Sequence, residues 1–214
     1  MRLGARLPLS FYRRKNVVKI ASDLIGKALF TRHPQEGVTG GIIIETESYR
    51  GPEDKASHAY QNRRTQRTEV MFHKGGVAYV YMCYGIHYLL NIVTHEENIP
   101  HAVLIRALFP THGLDAMAQR RKKSRNDPAL TSGPGSLCQA LGVTKEHNGL
   151  ALNSSCLWIE ETPITIPKAL ILKGPRIGID YAEEYALLPW RFYMREITAD
   201  LQREIALWAN SNSR

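Results

Sequence analysis

Two runs rich in β-branched and aromatic residues, 77–84 and 86–93, are separated by Gly85, the only obvious turn point between them. Val, Ile and Tyr suit a pleated, half-buried surface, and a glycine suits the reversal between two such runs. The chain is therefore expected to fold around a β-hairpin. Further strand-like runs lie at 28–31, 41–49, 102–108 and 157–160. Helical signals are fewer. Val17, Ile20, Ala21, Leu24 and Ile25 form an i, i+3, i+4, i+7, i+8 stripe, with Asn16 placed to cap it and Gly26 placed to end it. A charged helix is read over 113–125, a short buried one over 136–141, and a last one from about 198 to 209. Between the strands, 50–76 is a long polar stretch punctuated by Gly and Pro, and loops of that length in compact domains are usually functional or disordered. There is no repeat and no linker. The pattern predicts an α+β fold: one compact domain over 1–214 with a mixed, mostly antiparallel curved sheet, peripheral helices and a protruding hairpin. Residues 1–15 are expected to be flexible.

Composition narrows the partners. The 214 residues suffice for one full core and fall short of two, and 43% apolar content is ordinary for a globular domain. No apolar run approaches the roughly 20 residues of a membrane helix, so no membrane partner is expected. The basic start lacks the sustained apolar stretch of a secretory signal, with a basic transit peptide as the alternative. The net charge of +8 fits either scattered surface lysines or attraction to a polyanion, of which nucleic acid is the commonest. Two clusters bear on that choice: Arg63, Arg64 and Arg67, and Arg120, Arg121, Lys122, Lys123 and Arg125. Cys83, Cys138 and Cys156 are odd in number and lack metal-type spacing, which disfavours disulfide scaffolding and a zinc finger. Buried free thiols are the expectation. No metal and no cofactor are implied.

Chemistry-bearing residues concentrate between 45 and 106. Glu45, Glu47 and Tyr49 alternate along one strand and so share a face. Carboxylates are depleted in strands, which leaves a solvent-facing edge or a general base as readings. Tyr79, Tyr81, Tyr84 and Tyr88 fall within ten residues. Tyr79 and Tyr88 read as structural. Tyr84, beside the turn glycine, is placed as a wedge between bases. Tyr81, Tyr49 and His58 can form a stacking pocket for a flat ring. Asn91 and Arg106 interrupt apolar strands and need partners, and an arginine near Glu47 would hold that glutamate ionised. Gly133-Pro134-Gly135 loosely resembles the turn of a helix-hairpin-helix element, and equally a plain helix entry.

Several blocks occur together: Glu45-Thr46-Glu47-Ser48-Tyr49-Arg50-Gly51-Pro52-Glu53-Asp54, Ala56-Ser57-His58, Met71-Phe72, Tyr79-Val80-Tyr81, Tyr84-Gly85, His87 and Asn91. Leu104-Ile105-Arg106-Ala107-Leu108, Ser132-Gly133-Pro134, Leu137-Cys138-Gln139-Ala140-Leu141, Pro175-Arg176-Ile177-Gly178 and Trp190-Arg191-Phe192-Tyr193 follow in order. In this register, from about 17 to 195, the chain resembles the alkyladenine (3-methyladenine, methylpurine) DNA glycosylase family. The resemblance implies a monofunctional enzyme that flips alkylated or deaminated purines out of double-stranded DNA and hydrolyses the N-glycosidic bond, without lyase activity. It implies Glu47 as the base that activates water, supported by Arg106. Tyr49, His58 and Tyr81 would bind the base, Tyr84 would fill the space it leaves, and Asn91 would crowd the exocyclic amino group of guanine. Arg63, Arg64 and Arg67, next to the pocket loop, are assigned to phosphates. A monomer is expected, acting at the nucleoid of the bacterial cytoplasm or in a eukaryotic nucleus. Two departures stand out: Thr68 replaces an expected asparagine, and 197–214 lies outside the family pattern. The rival readings are a non-catalytic binder of damaged DNA, which would not need Glu47, and a glycoside hydrolase using Glu45 and Glu47.

Overall fold

Short helices lead into the sheet because their apolar stripe has one face to cover. The computed structural model describes residues 4–212. After α1 (Leu9–Tyr12), α2 (Val17–Leu24) starts where the Asn16 side chain accepts from the Lys19 amide, and it buries Val17, Ile20, Ala21 and Leu24. Gly26 follows with φ 87°, in the left-handed region the expected stop requires. Strands β1 (Ala28–His33), β2 (Gly37–Arg50), β3 (Ala78–Cys83), β4 (His87–Thr94) and β5 (His101–His112) come next. They are followed by α3 (Leu114–Arg121), α4 (Pro134–Leu141), β6 (Leu157–Glu160), β7 (Ile171–Gly174), β8 (Arg191–Met194) and α5 (Ala199–Ser211). Together they make one compact α+β domain.

The strands form one 8-stranded sheet in the order β3-β4-β5-β2-β1-β6, with β8 on β2 and β7 on β8. Every pairing of these strands is antiparallel, so the parallel component allowed for in a mixed sheet is absent among the described residues. The long strand β2 organises the rest. Its first half pairs with β1, register shifts follow near Gly40 and between Ile43 and Thr46, and its second half pairs with β8 instead. Extra residues in one strand bend it and change its partner direction. Gly41 makes the bend possible, since a Cβ there would lie 2.2 Å from the Phe109 carbonyl oxygen.

Alternation then divides the residues. Ala78, Val80, Leu90, Ile92, Val103 and Ile105 face the main core with α2 and α4. The opposite face is covered in two places. Leu201, Ile205 and Trp208 of α5 pack on Phe30 and Trp158 at the β1/β6 end. The segment after β2 lays Ala59, Met71 and Phe72 on Tyr79 and Val93 at the other end. Between them the sheet face is left as a cleft.

Some expectations are corrected. Within the stretch 4–15, Leu7 and Tyr12 are buried in the core, and the Leu7 amide donates to the Ile159 carbonyl. Residues 1–3 lie outside the described residues. Of the cysteines only Cys138 is buried; Cys156 is exposed in a turn and Cys83 is half-exposed at the end of β3. Thr68, in place of asparagine, anchors its loop, because its hydroxyl donates to the Arg63 carbonyl and accepts from the Thr65 amide. Gly133-Pro134-Gly135 is a helix entry, with Pro134 in the first turn of α4. No helix of the described residues is long and apolar enough to cross a membrane.

Candidate active site

A glutamate in mid-sheet must exchange water for fixed donors, and β2 itself, β5 and the segment after β7 provide them. Glu47 lies opposite Leu104 of β5 on one side and Arg191 of β8 on the other, and its side chain is fully buried. The Ile177 amide donates to Oε1 at 2.8 Å, the Tyr49 hydroxyl donates to Oε2 at 2.9 Å, and the Arg106 guanidinium stands 3.3 Å from Oε2. Burial pushes the Glu47 carboxyl above its usual value of 4.5, while Arg106, the Ile177 N–H and Tyr49 pull it back down. The arginine expected to hold Glu47 ionised therefore opposes the burial effect without cancelling it. The result is a carboxylate more basic than one in water, as a general base requires. Tyr49 is pushed far up by burial and by Glu47, so it remains a donor at neutral pH.

Glu45 plays a different part. It keeps partial exposure and accepts from Arg106 Nε at 3.1 Å and from Arg191 at 3.0 Å. Arg106 is thus held between two carboxylates. Its fixed position is what the strand alternation alone could not reveal.

The cleft in front has a volume of about 680 Å³. Tyr49, His58, Tyr81, Asn91 and Arg106 line it, as does the hairpin-tip Tyr84. Five chain segments thus bring the expected residues to one cavity. Glu47 itself lies one layer behind, reached through Tyr49, Arg106 and Ile177. His58 meets Tyr81 edge-to-face at 4.6 Å, and its Nδ1 is 3.0 Å from the Tyr79 hydroxyl. Burial, then the charges of Arg67 and Arg63, lower the His58 pKa to about 4, so the ring is neutral at pH 7. The Asn91 amide donates to the Tyr79 carbonyl at 3.3 Å and presents the rest of its side chain to the cleft.

Tyr84 is 91% exposed, with φ 51° beside Gly85 at φ 71°, and the turn is closed by the Ile86 amide on the Cys83 carbonyl. A tyrosine in that conformation is uncommon, and here it stands clear of any packing partner. Ile86 and Met82 add exposed apolar surface at the same tip. The basic clusters differ. Arg64 is committed to Glu69, Asn98 and the Phe72 ring. In the second cluster Arg120 pairs with Glu36, Lys123 with Asp127 and Arg125 with Asp115. Arg63 is exposed, and Arg67 leans over Tyr81 at 4.8 Å.

Sequence reasoning missed the support behind Tyr49. Arg176 and Asp54 form a fully buried pair, and the Arg176 guanidinium stacks on Tyr49 at 4.7 Å and on Trp190 at 5.1 Å. Arg176 also precedes Ile177, whose amide holds Glu47. Both partners stood in the quoted motifs, but nothing local pairs residues 122 positions apart. Among the described residues no group of three or more His, Cys, Asp or Glu is placed to hold a metal ion.

Comparison with known proteins gives one family. The model of the methylpurine-DNA glycosylase (MPG) family matches residues 10–198, ending just before α5. A protein of Chlamydia felis is 51% identical over 189 residues, 88% of this chain and 95% of its own length. One of Chlamydia pneumoniae is 50% identical over 186 residues, 86% and 92%. One of Bacillus cereus strain G9842 is 44% identical over 197 residues, 88% and 95%. Each carries the provisional name of a 3-methyladenine DNA glycosylase.

Proposed function

Given that the chain belongs to the methylpurine-DNA glycosylase family, we propose that it excises alkylated or deaminated purines from double-stranded DNA with a Glu47-activated water. The observation that carries the reading is the buried Glu47, held by three donors directly behind an aromatic cleft. Oε1 has one donor and therefore a lone pair to spare for a water proton. In the proposed reaction the water oxygen bonds to the sugar C1′ as its bond to the purine nitrogen breaks. The proton passes to Glu47, and the bonding electron pair leaves with the base. Arg106 keeps Glu47 oriented, and the ionised glutamate offsets the positive charge that grows on the sugar.

The other residues take binding roles. Tyr49, His58 and Tyr81 stack the extruded purine, Tyr84 fills its place in the duplex, and Asn91 crowds the amino group of normal guanine. Damaged or mispaired bases cost less to extrude, which adds selectivity before the pocket is reached. Arg63 and Arg67, which have no carboxylate partner among the described residues, are the basic side chains next to the pocket for strand contact, with Arg64 tied to Glu69. Lysine is not among the residues that line the cleft. With water as nucleophile, the product is an intact strand bearing an abasic site. The protein acts as a monomer in this scheme.

The test incubates the protein with duplexes carrying hypoxanthine, ethenoadenine or methylated purines, then applies alkali to reveal abasic sites. Lesion-dependent cleavage only after alkali is expected. Glu47→Gln should lower release by about 10²–10⁴ while lesion binding persists, because the amide keeps the shape and loses the base. No release from any lesion would leave a non-catalytic binder, and release of sugars from glycans would favour the glycoside hydrolase.

A further inference from the structure

The aromatic cleft carries one charge that no carboxylate answers. Of the two arginines that line it, Arg106 is bracketed by Glu45 and Glu47. Arg176, stacked on Tyr49 from outside the lining, is neutralised by Asp54. Arg67 has no carboxylate partner among the described residues. Its guanidinium lies 4.8 Å from the Tyr81 ring centroid and 3.4 Å from His58 Nε2. A guanidinium has no acceptor, so His58 Nε2 accepts and the ring proton sits on Nδ1, donating to the Tyr79 hydroxyl. His58 is thereby fixed as a neutral ring, and Arg67 is the positive charge in direct contact with that wall, with Arg63 farther out.

We propose that Arg67 is a specificity-determining residue that biases the cleft toward neutral damaged purines and against those carrying a positive charge. The inference rests on the glycosylase reading above. An aromatic face attracts a cation through its quadrupole, but Tyr81 already spends that attraction on Arg67. A cationic purine stacked in the same cleft meets like-charge repulsion from Arg67, whereas a neutral purine stacks without it. The discrimination suits the chemistry, because a cationic purine has the weaker glycosidic bond and needs less help from binding.

Arg67 is exposed, so its replacement leaves the fold intact. The experiment measures single-turnover release of 7-methylguanine, a cation while bonded to the sugar, and of hypoxanthine, neutral in the same bond, from otherwise identical duplexes. Arg67→Gln should raise the ratio of 7-methylguanine to hypoxanthine release by about tenfold, and Arg67→Lys should keep the wild-type ratio. Added salt, which screens an exposed charge, should move the wild-type ratio in the direction of Arg67→Gln. An equal fall for both lesions would overturn the proposal, because it would make Arg67 a phosphate contact only. No release of either base by the wild type would overturn the glycosylase reading and the proposal with it.

Discussion

In the proposed mechanism Glu47 must be ionised to accept a proton, yet it is buried, and the two demands are balanced by three named donors. The balance has a direction that can be measured. Because the Glu47 carboxyl sits above 4.5, the acid limb of the rate should lie above the ordinary glutamate range. Arg106 and Tyr49 both lower that pKa, so Tyr49→Phe and Arg106→Gln should each move the limb to higher pH, Arg106→Gln further. A pH–rate profile under single-turnover conditions checks this. A limb that stays put in both variants would remove Glu47 as the titrating group. The same residue shows how far single positions were legible. Strand alternation marked Glu45 and Glu47 alike, and the resemblance alone favoured Glu47. Since both pair with β8, it is the Ile177 amide and the Tyr49 hydroxyl on Glu47 that set the buried one apart from its partly exposed neighbour. Likewise Asp54 and Arg176 were visible as motif members, but their buried pairing behind Tyr49 depends on chain crossings that no local pattern encodes.

At the scale of elements, what could be read was what is local. The β3–β4 hairpin follows from propensity and a turn glycine, and α2 from spacing and its cap. β7 and β8 were not legible as strands. They are four residues each, carry Lys173, Gly174 and Arg191, and exist because β2 offers a free edge. The hairpin is also the element with the clearest mechanical consequence. A stiff two-stranded arm holds Tyr84 at its tip, flanked by Ile86 and Met82, so the tip is an apolar wedge on a polar protein. Filling a vacated stack with a ring stabilises the flipped state by about 1–3 kcal/mol. Tyr84→Ala should therefore weaken binding to a lesion duplex by about ten- to a hundredfold while leaving weak binding to intact duplex nearly unchanged. Fluorescence anisotropy on matched duplexes measures both. Equal losses on the two duplexes would make Tyr84 a general surface contact.

Across the whole molecule, the two faces of one sheet have divided their work. One face is sealed by α2 and α4, and the other is covered only at its ends, by α5 and by the segment after β2. Leaving the middle open forms the cleft, and burial there and at the start of β5 encloses polar groups. Two of them are histidines. His58 and His101 are both held neutral chiefly by burial, each with its pKa lowered to about 4. His101 lies against His95 and near Arg50, which add to the burial effect, and near Asp54, which opposes it. The sign of the consequence follows from linkage. In the unfolded chain these rings titrate near 6.5, so as the pH falls below that value the unfolded state takes up protons first. Stability is therefore complete above about 6.5 and is lost as the pH falls toward 4, by at most on the order of 3 kcal/mol per ring. Glu47 works in the opposite sense, since its raised pKa lets the folded state bind a proton ahead of the unfolded one. His95, His147 and Asp23, also with lowered pKa values, act in the same sense as His58 and His101, so the net effect is acid destabilisation. Thermal melts between pH 7 and pH 4.5 should show a falling midpoint, and His101→Gln should fall less steeply than the wild type. A midpoint that does not change over this range, or an unchanged slope in the variant, would mean that the histidines are not held neutral by the fold.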